Sequence, residues 1–168
     1  MNTFVAGTYG VGKTSLCKQL ALSTGLEHYS ASSLVQHTGP NKSVINSENN
    51  QEILIQKVVD LNRKWKSLIL DGHFCIFEGQ EIVKISLEVF NKLNINKVII
   101  IQDEPSKIYL RLSKRAGQQF DLKTITKLQQ LELERAQNFC EKYCATLLIE
   151  NMSNIRLETL KNFIINTK

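Results

Sequence analysis

The chain has no apolar run long enough to cross a membrane: its longest aliphatic stretches are "SLIL" and "VIII", and a spanning helix needs about 20 residues. It opens on "NTFVAG", which lacks a basic n-region and a long apolar run, so no secretory signal is expected. Four cysteines (Cys17, Cys75, Cys140 and Cys144) match no zinc spacing, and 168 residues can bury a sizeable core without disulfide staples. Reduced thiols in a cytoplasm are the expectation, with Cys140 and Cys144, four apart, packed as a core pair. Repeats, low-complexity tracts and linkers are missing too, which argues for one domain over 1–168. No basic run exceeds "NRKWK" at 62–66, although the net charge is +5. That surplus favours anionic partners, nucleotides or a nucleic-acid backbone, and its scatter makes nucleic acid the lesser of the two.

What is present alternates in period. Residues 2–6 are a short apolar run before glycines and predict a buried strand. Residues 13–23 carry Leu16, Leu20 and Ala21 at helical spacing, closed by Gly25. "LEHY" predicts a second strand, and "SASSLVQH" a short helix with serines at its cap. Residues 38–50 are polar and turn-rich. A helix is expected over 51–66, a third strand in "SLIL" ending at Asp71, and a hairpin over 74–85. "SLEVFNKLN" is helical, 97–101 a fourth strand, and Pro105 opens a helix to about Arg115. "AGQQFD" interrupts before a long amphipathic helix from Leu122, a fifth strand in "ATLLIE" and a closing helix over 155–165. Strands alternating with helices predict a five-stranded parallel sheet covered on both faces, a three-layer α/β domain.

The stretch "GTYGVGKTS" satisfies G-x-x-x-x-G-K-[ST] through Gly7, Gly12, Lys13 and Thr14, with a strand before it and a helix after it. Such a loop turns backbone N–H groups inward around phosphates, and the helix N-terminus adds a positive dipole end. Residues 9–15 (Tyr9, Gly10, Val11, Gly12, Lys13, Thr14, Ser15) are expected to hold the β- and γ-phosphates of ATP. Lys13 supplies a point charge and Thr14 a hydroxyl to Mg²⁺. The dinucleotide pattern G-x-G-x-x-G is not met.

Asp71 ends a strand at the carboxyl edge, where ligands of open α/β sheets sit. It could hold Mg²⁺ through water, accept a proton from an attacking hydroxyl, or only start the turn at Gly72. His73 is either a turn residue without a role or an acceptor contact. Arg111 and Arg115, four apart, project from one helix face; they could close on the transferring phosphoryl group or form a solvated face with Lys107 and Lys114.

Together, "GTYGVGKT", "LDGHF" and "RLSKR" resemble the nucleoside monophosphate kinase branch of the small P-loop kinases, adenylate kinase-like proteins in particular. The likeness extends over most of the chain. It implies the P-loop NTPase fold, a short lid at about 116–121 and an acceptor-binding segment at about 30–60. It further implies that Arg111 and Arg115 contact ATP and the moving phosphoryl group. The chain departs from that pattern where the acceptor phosphate is gripped: "DGHFCIF" contains no arginine, and "SASSLVQH" ends in Gln36 and His37. The grip is therefore rebuilt. Candidates are His37, Lys42, His73 and 46–52, where Asn50 and Gln51 could read a base or merely begin a helix. Ser30, Ser32, Ser33 and Gln51 are expected to line the acceptor pocket.

The expected activity is transfer of the γ-phosphoryl group from ATP·Mg²⁺ to a nucleotide, a nucleoside or a similar small acceptor. A polynucleotide 5′-end kinase and a regulatory nucleotide-binding ATPase with weak turnover remain as alternatives.

Overall fold

The computed structural model describes residues 1–36, 48–78, 81–114 and 120–166. Strand β1 (Asn2–Ala6) is buried throughout and alternates, Phe4 and Ala6 entering one core cluster and Val5 the other. The same split recurs in β3 (Leu68–Gly72) and β6 (Ile95–Gln102), whose successive side chains point to opposite faces. With β2 (Glu27–Ser30) and β7 (Thr146–Asn151) they form a five-stranded parallel sheet in the order β2-β3-β1-β6-β7. β1 thus lies between β3 and β6, and the chain reverses direction of travel across the sheet there, which opens a crevice at the carboxyl ends.

Helices cover both faces. Helix α1 (Lys13–Thr24) packs Leu16, Cys17 and Leu20 into the cluster that also takes Ile108 and Leu112 of α5 (Pro105–Ser113) and Leu160 and Ile164 of α7 (Leu157–Ile165). The opposite cluster takes Leu54 and Val58 of α3 (Glu48–Lys64), Val89 and Phe90 of α4 (Leu87–Lys92), and Leu128, Ala136 and Phe139 of α6 (Leu122–Tyr143). A short α2 (Ala31–Gln36) follows β2, and Lys57 Nζ donates to Leu34 O at 2.6 Å to tie α3 to it. Buried Asn2 fastens the amino end of the sheet: its Nδ2 donates to Leu93 O at 2.8 Å, and its Oδ1 accepts from Leu68 N at 3.0 Å.

The expected hairpin is present as β4 (Cys75–Glu78) and β5 (Glu81–Lys84), antiparallel and separate from the main sheet. Element ends differ by a few residues from those expected. The third strand runs on through Asp71 into Gly72, because both still pair with β1. The helix expected from 51 begins at Glu48 and ends before Trp65, which is 44% exposed. The expected Cys140–Cys144 core pair does not form. Cys140 is buried, whereas Cys144 is exposed and ends α6 at a φ of 55°. No described helix is long and apolar enough to cross a membrane.

Candidate functional site

The turn from β1 into α1 is forced by two glycines. Gly7 sits at a φ of 146°, and a Cβ there would lie 2.3 Å from Ile101 O of β6. Gly12, at 109°, faces the Met152 Sδ–Cε end, where a Cβ would come within 2.9 Å. At Gly7 both the dihedral and the backbone oxygen exclude a side chain; at Gly12 the Met152 end could shift, and the dihedral alone favours glycine. Val11 is fully buried in the α1-side core, so its backbone alone can serve a nucleotide, and its side chain anchors the loop.

Lys13 is buried, and its Nζ donates to Gly7 O at 2.8 Å and Thr8 O at 3.0 Å, inside the curl of the loop. It also stands 3.5 Å from His73 Nε2. Thr14 and Ser15 are exposed at the cavity mouth, and Thr14 Oγ1 donates to Asp71 Oδ1 at 3.5 Å. Asp71 is almost wholly buried at the end of β3; its Oδ2 meets His28 Nε2 of β2 at 2.6 Å.

These groups open on one cavity of about 280 Å³. Of the acceptor residues expected from the sequence, Ser30, Ser32, Gln51 and His73 line it together with Tyr9, Gly10, Gly12, Lys13, Thr14, Ser15 and Asp71. Ser30 Oγ and Ser32 Oγ share a hydrogen bond of 2.9 Å at its edge. Ser33 does not belong there: it is exposed, and its hydroxyl turns back to donate to Ser30 O at 2.8 Å, as a helix-start serine does. Behind the polar rim the wall is apolar, with Leu54 of α3, Ile76 of the hairpin, and Val89 and Phe90 of α4.

His73 is held on three sides. Its ring stacks on Tyr9 with centroids 4.0 Å apart, and Tyr9 stacks in turn towards Phe120, which stacks on Phe77 at 4.8 Å. Its Nδ1 is 3.7 Å from Glu132 Oε1. Glu132, 1% exposed on α6, accepts from the backbone N–H groups of Phe74 at 3.0 Å and Cys75 at 2.9 Å. Burial, reinforced by the Lys13 ammonium and opposed by Glu132 and Asp71, holds His73 below the ordinary histidine range. The ring is therefore neutral near pH 7. Its partners assign the proton to Nδ1, facing Glu132, and leave the Nε2 lone pair towards Lys13.

Arg111 does not line this cavity. Its Nη2 pairs with Asp103 Oδ2 at 2.5 Å, and its Nη1 donates to Gly10 O at 3.4 Å and Val11 O at 3.3 Å. The cause is Asp103, buried just beyond β6, which also accepts from Ser153 Oγ at 2.7 Å and Glu104 N at 3.0 Å. Against its burial, Arg111 and these donors hold its carboxyl below the usual range. Arg111 thus braces the loop backbone through Gly10 and Val11. Arg115, the segment 116–119, His37 and Lys42 lie outside the described residues. The end of the expected lid is described, and there Phe120 is buried against Tyr9 and Phe77 while Asp121 caps α6 by accepting from Thr124 N at 2.7 Å.

Sequence reading missed His28, Glu132 and Asp103. Asp103 carries the same signal as Asp71, a carboxylate at the end of an apolar strand, and could have been found by it. His28 and Glu132 sit in unremarkable strand and helix patterns, and only the fold gives them partners.

The sequence matches the AAA domain family over residues 6–129, and the chain belongs to that family. Among curated proteins, none matches significantly. Solved structures share the fold at low identity. The YorR protein of Bacillus subtilis, in complex with phosphorylated GDP, is 16% identical, with 98% of this chain and 94% of that one covered and a TM-score of 0.60. A shikimate kinase from Bacteroides thetaiotaomicron is 15% identical, with 96% and 94% covered and a TM-score of 0.57. A gluconokinase from Sinorhizobium meliloti 1021 is 12% identical, with 98% and 89% covered and a TM-score of 0.52. The fold is that of the small P-loop kinases.

Proposed function

We propose that the chain, as one domain over 1–168, moves the γ-phosphoryl group of ATP to a small nucleotide-like or hydroxyl acceptor. A cytoplasmic location fits its composition. One observation carries the reading: Lys13, Thr14 and Asp71 open on the same cavity as Ser30, Ser32, Gln51 and His73. Donor and acceptor positions are thereby adjacent, which phosphoryl transfer needs more than any covalent help from the protein. Structural neighbours named as a shikimate kinase and a gluconokinase support a small acceptor, and the neighbour in complex with phosphorylated GDP supports a nucleotide ligand.

In this reading the loop backbone over 9–15 and Lys13 hold the β- and γ-phosphoryl oxygens. Thr14 Oγ1 and Asp71 Oδ1, two oxygen donors 3.5 Å apart, suit Mg²⁺. When bound, the ion supplies charge neutralisation on the β- and γ-oxygens. The acceptor oxygen forms a bond to the γ-phosphorus, the bond from phosphorus to the β–γ bridging oxygen breaks, and the acceptor proton passes to Asp71 or to solvent. Tyr9, Phe77 and Phe120 keep bulk water from one side of the cavity. Arg111 holds the loop in shape through Gly10 and Val11. The enzyme is in this reading an adenylate kinase-like phosphotransferase, and Arg115 closes over the phosphoryl group.

The test is transfer of γ-labelled phosphate from Mg²⁺-ATP to nucleosides, nucleoside monophosphates, sugars and 5′-hydroxyl strands, beside a no-acceptor control. Label is expected on a small molecule, and Lys13→Ala is expected to abolish it while circular dichroism stays native. Unchanged turnover in Lys13→Ala would sink the assignment. Label on strand ends would make the protein a polynucleotide kinase, and phosphate release without a labelled acceptor would make it an ATPase.

A further inference from the structure

Three side chains converge between the sheet and α1. Cys17 lies four residues past Lys13 on α1, His28 on β2 and Asp71 at the end of β3. Alternation sends Ile69 and Asp71 of β3 to one face. The parallel register pairs His28 with Ile69 and Ser30 with Asp71, so His28 shares that face. Ile69 and Cys17 both belong to the core cluster under α1, which fixes which face it is. The outcome is a sulfur, an imidazole nitrogen and a carboxylate oxygen within 4.8 Å of one another. Cys17 is 0% exposed and Asp71 3%, and the His28 side chain is 10% exposed.

A contact between His28 and Asp71 alone would satisfy both polar groups without any sulfur nearby. The sulfur changes the chemistry, because thiolate and imidazole select borderline-soft ions over Mg²⁺. A tetrahedral zinc ion with bonds of roughly 2.0–2.3 Å sets its ligands about 3.3–3.8 Å apart. Closing the trio around such an ion needs side-chain shifts of about 1 Å, chiefly opening the 2.6 Å His28–Asp71 contact. Charge agrees as well. One thiolate and one carboxylate balance a divalent cation, so the filled site is neutral, as burial requires.

The geometry points to a site for a thiophilic divalent cation, zinc in particular, formed by Cys17, His28 and Asp71 at the floor of the phosphate-loop cavity. Cys17 gives its thiol proton to solvent as the metal–sulfur bond forms, neutral His28 binds through Nε2, and Asp71 binds through a carboxylate oxygen. A fourth position falls to water or to the Thr14 hydroxyl, already beside Asp71. The ion reaches the trio through the cavity that Asp71 lines. Occupancy engages the Asp71 carboxylate, so zinc switches the transfer reaction off by competing with Mg²⁺ for that one group. This consequence rests on the proposed function, whereas the site does not.

Cobalt is the probe, because thiolate-bound Co²⁺ shows a near-ultraviolet charge-transfer band. Titrating the metal-free full chain is expected to give that band at one ion per chain, with zinc displacing it. Cys17→Ser should lose the band, and Cys144→Ser, which alters the exposed cysteine, should keep it. His28→Ala should weaken binding about tenfold or more. Thermal melts report whether each variant is folded; Cys17→Ala serves in place of Cys17→Ser if the hydroxyl disturbs the core. No band, or a band that survives loss of the Cys17 sulfur, overturns the site. In the transfer assay at half-saturating Mg²⁺, zinc should inhibit the wild type, less so as Mg²⁺ is raised, and spare Cys17→Ser; equal inhibition of both overturns the switch. The full cobalt pattern in a protein that transfers phosphate to no acceptor would leave the site standing and end the kinase reading.

Discussion

Lys13 and His73 share a buried corner in which only one of them carries charge. His73 is held neutral by burial and by the Lys13 ammonium 3.5 Å away. An unfolded chain has neither constraint, so as pH falls through about 6.5 it binds a proton at His73 before the folded chain does. Stability at this residue is therefore present above that pH and lost below it. Urea midpoints at about pH 7.5 and 5.5 should fall further apart in the wild type than in His73→Asn, which has no titrating ring. An identical drop in both proteins would deny His73 this role. Arg111 makes the complementary point. The residue type and position were legible in the sequence. Its direction was not, because Asp103, eight residues earlier and beyond a strand end, decides it.

At the scale of elements, the hairpin and α6 depend on each other through Glu132. Its two oxygens accept the N–H groups of Phe74 and Cys75, where the chain leaves β3 to enter the hairpin. Arg135, one turn on, donates from Nη2 to Ile85 O where the hairpin ends. A glutamine in place of Glu132 keeps the shape but sets an amide N–H₂ against one of the two backbone donors. Glu132→Gln should cost about 1–3 kcal/mol in urea unfolding, the cost of one unsatisfied buried donor. It should also raise the acceptor KM, since the same segment carries His73 into the cavity. A fully stable variant would show that the clamp is dispensable. The hairpin itself was expected from alternation about a glycine-containing turn. The clamp was not, because Glu132 lies in a helix whose charged residues are mostly exposed, and nothing local marks it as the buried one.

Across the molecule the net charge is +5, and several of the described lysines are engaged by local partners. Lys57 is tied to Leu34 O, Lys97 to Ile164 O, Lys107 to Ser153 and Lys142 to Glu88, on different elements around the fold. A strand bound by 6–10 phosphate contacts would lose about 10³–10⁵ in affinity between 50 and 200 mM salt. The acceptor KM should instead change by less than about tenfold over that range, measured by labelled transfer. A steeper loss would favour a nucleic-acid substrate.

The sequence by itself determined the phosphate loop, the five strands and the helices between them. Each of these follows from residues close along the chain: glycines where no Cβ fits, apolar periods of 2 or 3.6, a proline in a first turn. It also placed Asp71 and Ser30 at strand ends, and so at the cavity. Only the tertiary structure decided which polar groups meet. The strand order β2-β3-β1-β6-β7 brings His28 to Asp71 across 43 residues and Glu132 to the turn after β3 across nearly 60. A buried carboxylate must find a partner, but which one it finds depends on the packing of distant elements, and no local pattern encodes that.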